Sequence, residues 1–159
     1  LMDILKIDFK YAIQVLKEFK GVEHRIEFVR DLNGVKYYND SKSTNPTATV
    51  TALKSFDGNI HLILGGMDRN QDFEDLLPFK DKIKMIYAIG EVRKRIIDFC
   101  NTNNINYEEF EFMKDALTSI IKNVQSNDIV LLSPASASWD QYAKFEDRGE
   151  EFKNIVNNF

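Results

Sequence analysis

Short apolar runs alternate with segments of helical periodicity along most of this 159-residue chain, and this alternation restricts the fold more than any other feature. The runs at Ile60–Leu64, Lys84–Ile89 and Asp128–Leu132 predict buried strands. Strands that alternate with helices favour parallel pairing with right-handed crossovers. The sequence therefore predicts an α/β fold, a three-layer Rossmann-like sandwich around a mostly parallel sheet.

One hairpin near the amino end is expected to add an antiparallel strand to this sheet. Asn33-Gly34 separates two strand-like runs, Arg25–Arg30 and Val35–Tyr38. Both turn positions tolerate positive φ, as tight hairpin turns require. The remaining elements are predicted as a strand over Tyr107–Phe112, a final helix, and helices over Tyr11–Phe19 (stopping at Gly21), Pro46–Leu53, Phe73–Phe79, Val92–Cys100 and Lys114–Val124.

Composition excludes several classes of function. The length suits a single domain over residues 1–159, although the start, Leu1-Met2-Asp3, suggests a piece of a longer chain. A net charge of -4 with scattered lysines argues against a nucleic-acid partner. The single Cys100 rules out an internal disulfide, fits a reducing cytoplasm and, with only two histidines, leaves no zinc cluster. No segment is long and apolar enough to suggest a membrane partner.

Three loops that follow predicted strands carry polar chemistry. The first loop, residues 39–46, offers the acceptor Asp40, the cation Lys42 and several hydroxyls. The second loop, residues 65–70, contains glycines that permit close backbone approach and Arg69 for a carboxylate. The third loop, residues 133–145, places Ser136, Ser138 and the amides near Phe145 where they could hold an anion, with Ser138 the better candidate for a ligand contact. Ligands of open α/β sheets bind outside the carboxyl ends of strands, so these loops predict an anion site.

Simpler explanations exist for several of these residues. One residue among Ser43, Thr44 and Asn45 could cap a helix that begins at Pro46, and Ser133 and Ser136 could cap the helix after the third loop. The second loop could be a plain glycine turn. His61, at the start of an apolar strand, is expected to be a core-edge residue rather than a base. Phosphate-loop, dinucleotide and zinc-hydrolase motifs are absent from the sequence.

Four segments together closely resemble the carboxyl-terminal domain of the Mur ligases, and specifically of the D-glutamate-adding members. These segments are Gly21–Glu27, Asn39–Asn45, Leu64–Gly66 and Leu132–Gly149. The resemblance implies an ATP-dependent ligase of peptidoglycan synthesis that joins D-glutamate to UDP-N-acetylmuramoyl-L-alanine through an acyl phosphate. Residues 1–159 would be the closing domain, and residues 1–20 the helix that leads from a central domain.

The same resemblance implies roles for individual residues at the nucleotide. Arg25 and Asp40 would contact the phosphate and ribose regions of ATP, and Lys42 would be the catalytic residue beside the reacting anionic groups. The phosphate loop and the magnesium ligands would lie mainly on the central domain.

D-Glutamate would be held by a second set of residues. Thr44 would bind its α-carboxylate together with Arg69, which stands where some members have lysine. Ser138 and the backbone amide of Phe145 would hold its side-chain carboxylate, while Gly65 and Gly66 would shape the wall between. Trp139 and Tyr142 are expected to pack the third loop against the body. The residues alone also permit a non-catalytic anion- or nucleotide-binding module.

Overall fold

The computed structural model describes residues 9–18 and 21–159, so parts of the predicted leading helix over residues 1–20, including Phe19, lie outside the described residues. In chain order the elements are α1 (Phe9–Glu18), β1 (Glu27–Leu32), β2 (Val35–Asn39), α2 (Pro46–Lys54), β3 (Ile60–Gly65), a 3-10 helix (Glu74–Lys82), β4 (Ile83–Ile89), α3 (Arg93–Asn103), β5 (Tyr107–Glu109), α4 (Met113–Asn123), β6 (Ile129–Leu132) and α5 (Phe145–Asn157).

The strands form one six-stranded sheet in the order β1-β2-β6-β3-β4-β5. Every pair is parallel except β1 with β2, which confirms the predicted mixed sheet. β6, the last strand in the chain, lies between β2 and β3. β2, β6 and β3, which precede the first, third and second loops respectively, therefore lie side by side in the sheet.

The predicted hairpin is present, but β1 begins later than the sequence suggested. Asn33 and Gly34 have φ values of 55° and 82°, as the tight turn requires. Arg25, predicted to start the strand, instead lies in a turn between His24 (φ 61°) and Ile26 (φ 45°). Two left-handed residues around Arg25 are incompatible with extended backbone, so pairing with β2 starts at Glu27.

Helices cover both faces of the sheet and create two apolar cores. On one face α2, the 3-10 helix and α3 pack Leu53, Leu76 and Ile96 against β3 and β4. On the other face α4 and α5 contribute Leu117 and Phe152, among others. This is the predicted three-layer sandwich. In the part of the chain that the structure describes, no helix has the length and apolarity needed to cross a bilayer.

Two predicted elements differ from the structure. The segment predicted as a helix over Phe73–Phe79 is a 3-10 helix over Glu74–Lys82, and it contains Pro78, whose ring nitrogen has no hydrogen to donate to an α-helical bond. The strand predicted over Tyr107–Phe112 ends at Glu109. Within the described ranges it is an edge strand, paired only with Ile86–Ala88 of β4.

Candidate functional site

The first, second and third loops meet at the carboxyl edge of β2, β6 and β3. Main-chain hydrogen bonds connect the end of β6 and the third loop to the other two loops. Asp40 N–H donates to Leu132 O (2.8 Å), and Gly65 N–H donates to Pro134 O (2.8 Å). Met67 N–H donates to Ala137 O at 2.9 Å. The structure thus brings together the three loops that the sequence singled out.

Asp40 is a buried junction between the first and third loops. One carboxylate oxygen accepts from the amide of Ile26 (3.2 Å), and the other accepts from the hydroxyls of Ser43 and Ser133. Burial raises the pKa of Asp40, while these donors and the charge of Arg25 oppose that rise. Arg25 itself is exposed. The two residues line a shared pocket with Ile26, Ser43, Ala48, Thr51 and Ala52.

Lys42 and Phe145 lie next to each other. Lys42 is exposed, and its ammonium nitrogen is 5.8 Å from the centre of the Phe145 ring. The amide of Lys42 donates to the carbonyl of His24 (3.1 Å), whose ring meets Phe145 edge-on. The catalytic candidate and the start of α5 are therefore held against the same histidine.

Thr44 and Arg69 face one pocket between the loops. Its other lining residues are Asn45, Pro46, Gln71, Ala135 and Ala137. The Arg69 guanidinium carbon is 5.7 Å from the centre of the Trp139 ring. Trp139 is 65% exposed, so the expectation that it packs the loop against the body is wrong for this residue. Tyr142 does pack against the second core.

Ser138 has a buried hydroxyl without a hydrogen-bond partner among the described residues. The side chain is 2% exposed, yet only its main-chain carbonyl is engaged, by the amides of Gln141 and Tyr142. α5 begins at Phe145 after Lys144, which makes no side-chain capping bond. A free hydroxyl and an uncapped helix start on one loop are donors available to an anion.

The serines expected as caps have other roles. Ser133 donates to Asp40, its hydroxyl oxygen also lies 3.0 Å from that of Thr49, and Ser136 accepts from the side-chain amide of Gln71. Capping of α5 by either serine is therefore wrong, because α5 starts nine or more positions later. Capping of α2 is correct and belongs to Asn45, whose side chain accepts from the amide of Ala48 with Pro46 in the first turn.

Gly65 and Gly66 are required by backbone geometry and by space. Their φ values are 132° and 143°, conformations that side chains rarely adopt. A β-carbon on Gly65 would collide with the carbonyl oxygen of Ile89, and one on Gly66 with that of Ala137. The second loop is thus more than a plain glycine turn.

Arg148 was not assigned a role from the sequence, although it holds the site together. It is 1% exposed and donates to the hydroxyl and carbonyl of Ser41 and to the carbonyl of Ser136. A signal was available: Arg148 stands four residues before Phe152 and eight before Val156, on the apolar face of α5. A charged residue on such a face needs buried partners.

A cluster of Glu23, His24 and Glu150 places three potential metal-ligand atoms within 4.8 Å of one another. Lys153 already forms ion pairs of 2.7 Å with each of these two carboxylates. A lysine ammonium therefore already contacts both carboxylates, and the cluster fits a surface ion-pair network better than a metal site.

Comparison with known proteins identifies the family of this chain. The family model described as "Mur ligase, glutamate ligase domain" matches residues 24–136. UDP-N-acetylmuramoylalanine–D-glutamate ligase of Caldicellulosiruptor saccharolyticus is 46% identical over 148 residues, which cover 91% of this chain and 32% of that protein. The chain thus spans about a third of the length of this curated relative.

Solved structures share the fold at lower identity. UDP-N-acetylmuramate-alanine ligase from Thermotoga maritima superposes with a TM-score of 0.70 and 16% identity, covering 99% of this chain and 35% of that one. The MurF ligase of the same organism, solved with ADP, gives a TM-score of 0.61 and 20% identity over 99% of this chain and 36% of that one. The resemblance carried by the loop motifs is confirmed, and the chain belongs to the Mur ligase family, through its glutamate ligase domain.

Proposed function

We propose that this chain is the D-glutamate-binding and nucleotide-closing part of a cytoplasmic, ATP-dependent ligase of peptidoglycan synthesis. The whole enzyme would join D-glutamate to UDP-N-acetylmuramoyl-L-alanine. The observation that carries the proposal is the buried, unpartnered hydroxyl of Ser138 on the loop that leads into an uncapped helix. Supporting evidence is the identity of 46% to a D-glutamate-adding relative.

The side-chain carboxylate of D-glutamate suits the Ser138 end of the site. A buried hydroxyl without a partner costs free energy until a ligand accepts its hydrogen bond. The first amides of α5, beginning with Phe145, add donors and the positive end of the helix dipole. We assign this carboxylate to Ser138 and to the Phe145 amide.

The α-carboxylate suits the pocket between Thr44 and Arg69. Thr44 offers a hydroxyl, and the exposed Arg69 side chain supplies a positive charge at the same pocket. Arginine presents a planar fork where a lysine would present a point charge, so Arg69 can bind a carboxylate through two nitrogens. Gly65 and Gly66, at the start of the same loop as Arg69, pass so close to the carbonyls of Ile89 and Ala137 that neither position has room for a side chain.

The nucleotide is assigned to the pocket shared by Arg25 and Asp40. Its apolar lining by Ile26 and Ala52 fits a base or ribose edge, and Arg25 adds a charge for phosphate. Both Asp40 oxygens already accept bonds, so a ribose hydroxyl would use a remaining lone pair. When bound, ATP supplies the phosphoryl group that activates the acceptor carboxylate. Lys42 would then stabilise negative charge at the reacting groups, and Mg²⁺ would be held mainly by the rest of the enzyme.

The proposal is tested by steady-state kinetics of the full-length ligase with D-glutamate varied at saturating ATP. Ser138→Ala removes one hydroxyl donor to a carboxylate, worth roughly 1.5–3 kcal/mol. We expect the apparent affinity for D-glutamate to fall by about tenfold to a hundredfold, with ATP use little changed. Ser133→Ala should have a much smaller effect on D-glutamate, and Ser55→Ala, on the exposed end of α2, none. An unchanged Michaelis constant and turnover in Ser138→Ala would remove this residue from the site.

A further inference from the structure

Arg148 buries a positive charge without a carboxylate beside it. Its Nε donates to the Ser41 hydroxyl (3.0 Å), and its Nη2 donates to the carbonyls of Ser41 (2.9 Å) and Ser136 (3.1 Å). Nη1 makes a longer contact of 3.5 Å with the carbonyl of Gly65. Among residues 9–18 and 21–159, no carboxylate oxygen lies within 4.0 Å of the guanidinium, and Asp140 acts on it only at longer range.

This charge persists in spite of burial. Burial lowers the pKa of Arg148 to about 10, so the side chain remains protonated near neutral pH. A buried cation without an opposite charge is costly, and most buried charges are paired for that reason. Lys153, on the same helix, is paired in the usual way: its ammonium lies 2.7 Å from a carboxylate oxygen of Glu23 and of Glu150.

The acceptors of Arg148 come from each of the three loops. Ser41 belongs to the first loop, Gly65 to the second and Ser136 to the third, so one rigid fork joins all of them. A β-carbon on Gly66 would press on Nη1 as well as on the Ala137 carbonyl. Arg148 therefore holds the loop that carries Ser138 through its hydrogen bond to the Ser136 carbonyl.

We propose that Arg148 is a positioning residue of the anion site: its guanidinium fixes the three loops relative to one another, and its unbalanced charge favours a carboxylate bound beside Ser138. The inference rests on the proposed function for the identity of that carboxylate. The negative charge of the bound carboxylate would then balance the positive charge of Arg148.

The positioning role is tested by hydrogen exchange in the full-length ligase. In Arg148→Met the amides of Asp40, Gly65 and Met67, which bridge the loops, should exchange at least tenfold faster than in the wild type. The matched control is Arg30→Met. Arg30 also donates to main-chain carbonyls, but at Val156, Asn157 and Phe159, where α5 ends. Unchanged exchange in all three loops would overturn the positioning role.

The electrostatic role is tested by kinetics of Arg148→Lys and Arg148→Met. Lysine keeps the charge but cannot reach all three loops, whereas methionine loses both. We expect the Michaelis constant for D-glutamate to rise at least tenfold in Arg148→Met and clearly less in Arg148→Lys, with that for ATP changed less than threefold in both. Equal effects of the two variants, or equal losses for D-glutamate and ATP, would overturn the electrostatic role.

These outcomes separate the inference from the proposed function. A wild-type ligase that does not use D-glutamate would refute the proposed function, while the exchange measurement would still decide the positioning role. If Arg148→Met does not fold, Arg148→Lys supplies both measurements: it must accelerate loop exchange and raise the Michaelis constant for D-glutamate more than that for ATP. Wild-type behaviour of Arg148→Lys in both measurements would then refute the proposal.

Discussion

Two serines of the third loop are both buried but differ in hydrogen bonding, so their replacement by alanine should affect stability differently. Ser133 donates to Asp40 at 2.7 Å, and Ser133→Ala would leave a buried carboxylate short of a donor. We expect that change to lower the free energy of unfolding by about 1–3 kcal/mol. Ser138→Ala removes a hydroxyl without a partner among the described residues and should leave stability unchanged or slightly raised.

Urea unfolding of this chain measures both variants, with the wild type as reference. The midpoint should fall in Ser133→Ala only. A comparable fall in Ser138→Ala would show that its hydroxyl has a partner in solution, and would weaken its assignment to a ligand.

His61 should make the fold sensitive to acid. It lies at the amino end of β3, far along the strand from the site, with its ring nitrogens 3.0 Å from the Tyr87 hydroxyl and 3.2 Å from Asp128. Burial lowers the pKa of His61, and the charge of Asp128 opposes this without overcoming it. The unfolded chain therefore binds the proton more readily. Stability is fully present above the ordinary histidine pKa of about 6.5 and is lost as pH falls through the lower folded value.

Urea midpoints at successive pH values between neutral and mildly acidic conditions test this expectation. The wild type should lose stability over that range, and His61→Gln should lose less, because it has no group to protonate there. Parallel curves for the two proteins would contradict it. The position of His61 at the start of an apolar strand predicts a residue at the edge of the core rather than a base, and its burial agrees.

At the residue level, the sequence identified loops better than it identified the contacts within them. Asp40, Lys42 and Ser138 stood out because polar residues directly followed apolar strands, whereas a ligand role for Thr44 was implied only by the family resemblance. Arg148 did not stand out, because its position on the apolar face of α5 indicates only that it needs buried partners. Those partners, the Ser41 hydroxyl and main-chain carbonyls of distant loops, cannot be read from the local sequence. The exposure of Trp139 could not be predicted from the sequence either, since an aromatic residue in a loop is usually packed.

Among the secondary-structure elements, α2 depends on a single cap. Asn45 has extended backbone and accepts from the Ala48 amide at 3.0 Å, with Pro46 in the first turn. Asn45→Ala should lower the free energy of unfolding by about 1 kcal/mol, and Asn45→Ser should restore most of it. Thermal or urea unfolding of the two variants is the measurement. If alanine and serine were equivalent, the cap would contribute nothing.

Elements fixed by local chemistry were predictable, and elements fixed by their neighbours were not. The Asn33-Gly34 turn and the Asn45 cap follow from the conformational preferences of two or three residues. The length of β5 is set instead by its pairing with three residues of β4, and β1 starts late because of left-handed residues that are not glycine. The sheet order places β6 at the centre, which no local pattern specifies.

For the whole molecule, we expect this chain to fold alone but to catalyse nothing. Its sheet is covered on both faces, and the sequence contains no phosphate loop. Thermal unfolding should be cooperative, and phosphate release from ATP should not exceed the blank. Peptide-bond formation by the purified chain would refute its assignment as one part of a larger ligase.

Nucleotide binding by the chain alone should be weak. Arg25 is exposed and Asp40 is largely engaged within the protein, so only one side of ADP would be contacted. Titration calorimetry with ADP should give an affinity no better than roughly millimolar, a binding free energy of about -4 kcal/mol. Micromolar binding would favour an autonomous nucleotide-binding module instead.

The centre of the sheet is the last part of it to be synthesised. β6 pairs Ile129 with Lys36 on one side and with Ile60 on the other, so both contacts join distant parts of the chain. Until the ribosome releases β6, the β1–β2 hairpin and the β3–β5 strands are separate pieces with open edges, which can pair with other chains. Such long-range pairing also slows folding. The strand that completes the ligand-binding edge therefore also determines when, during protein synthesis, the chain can fold.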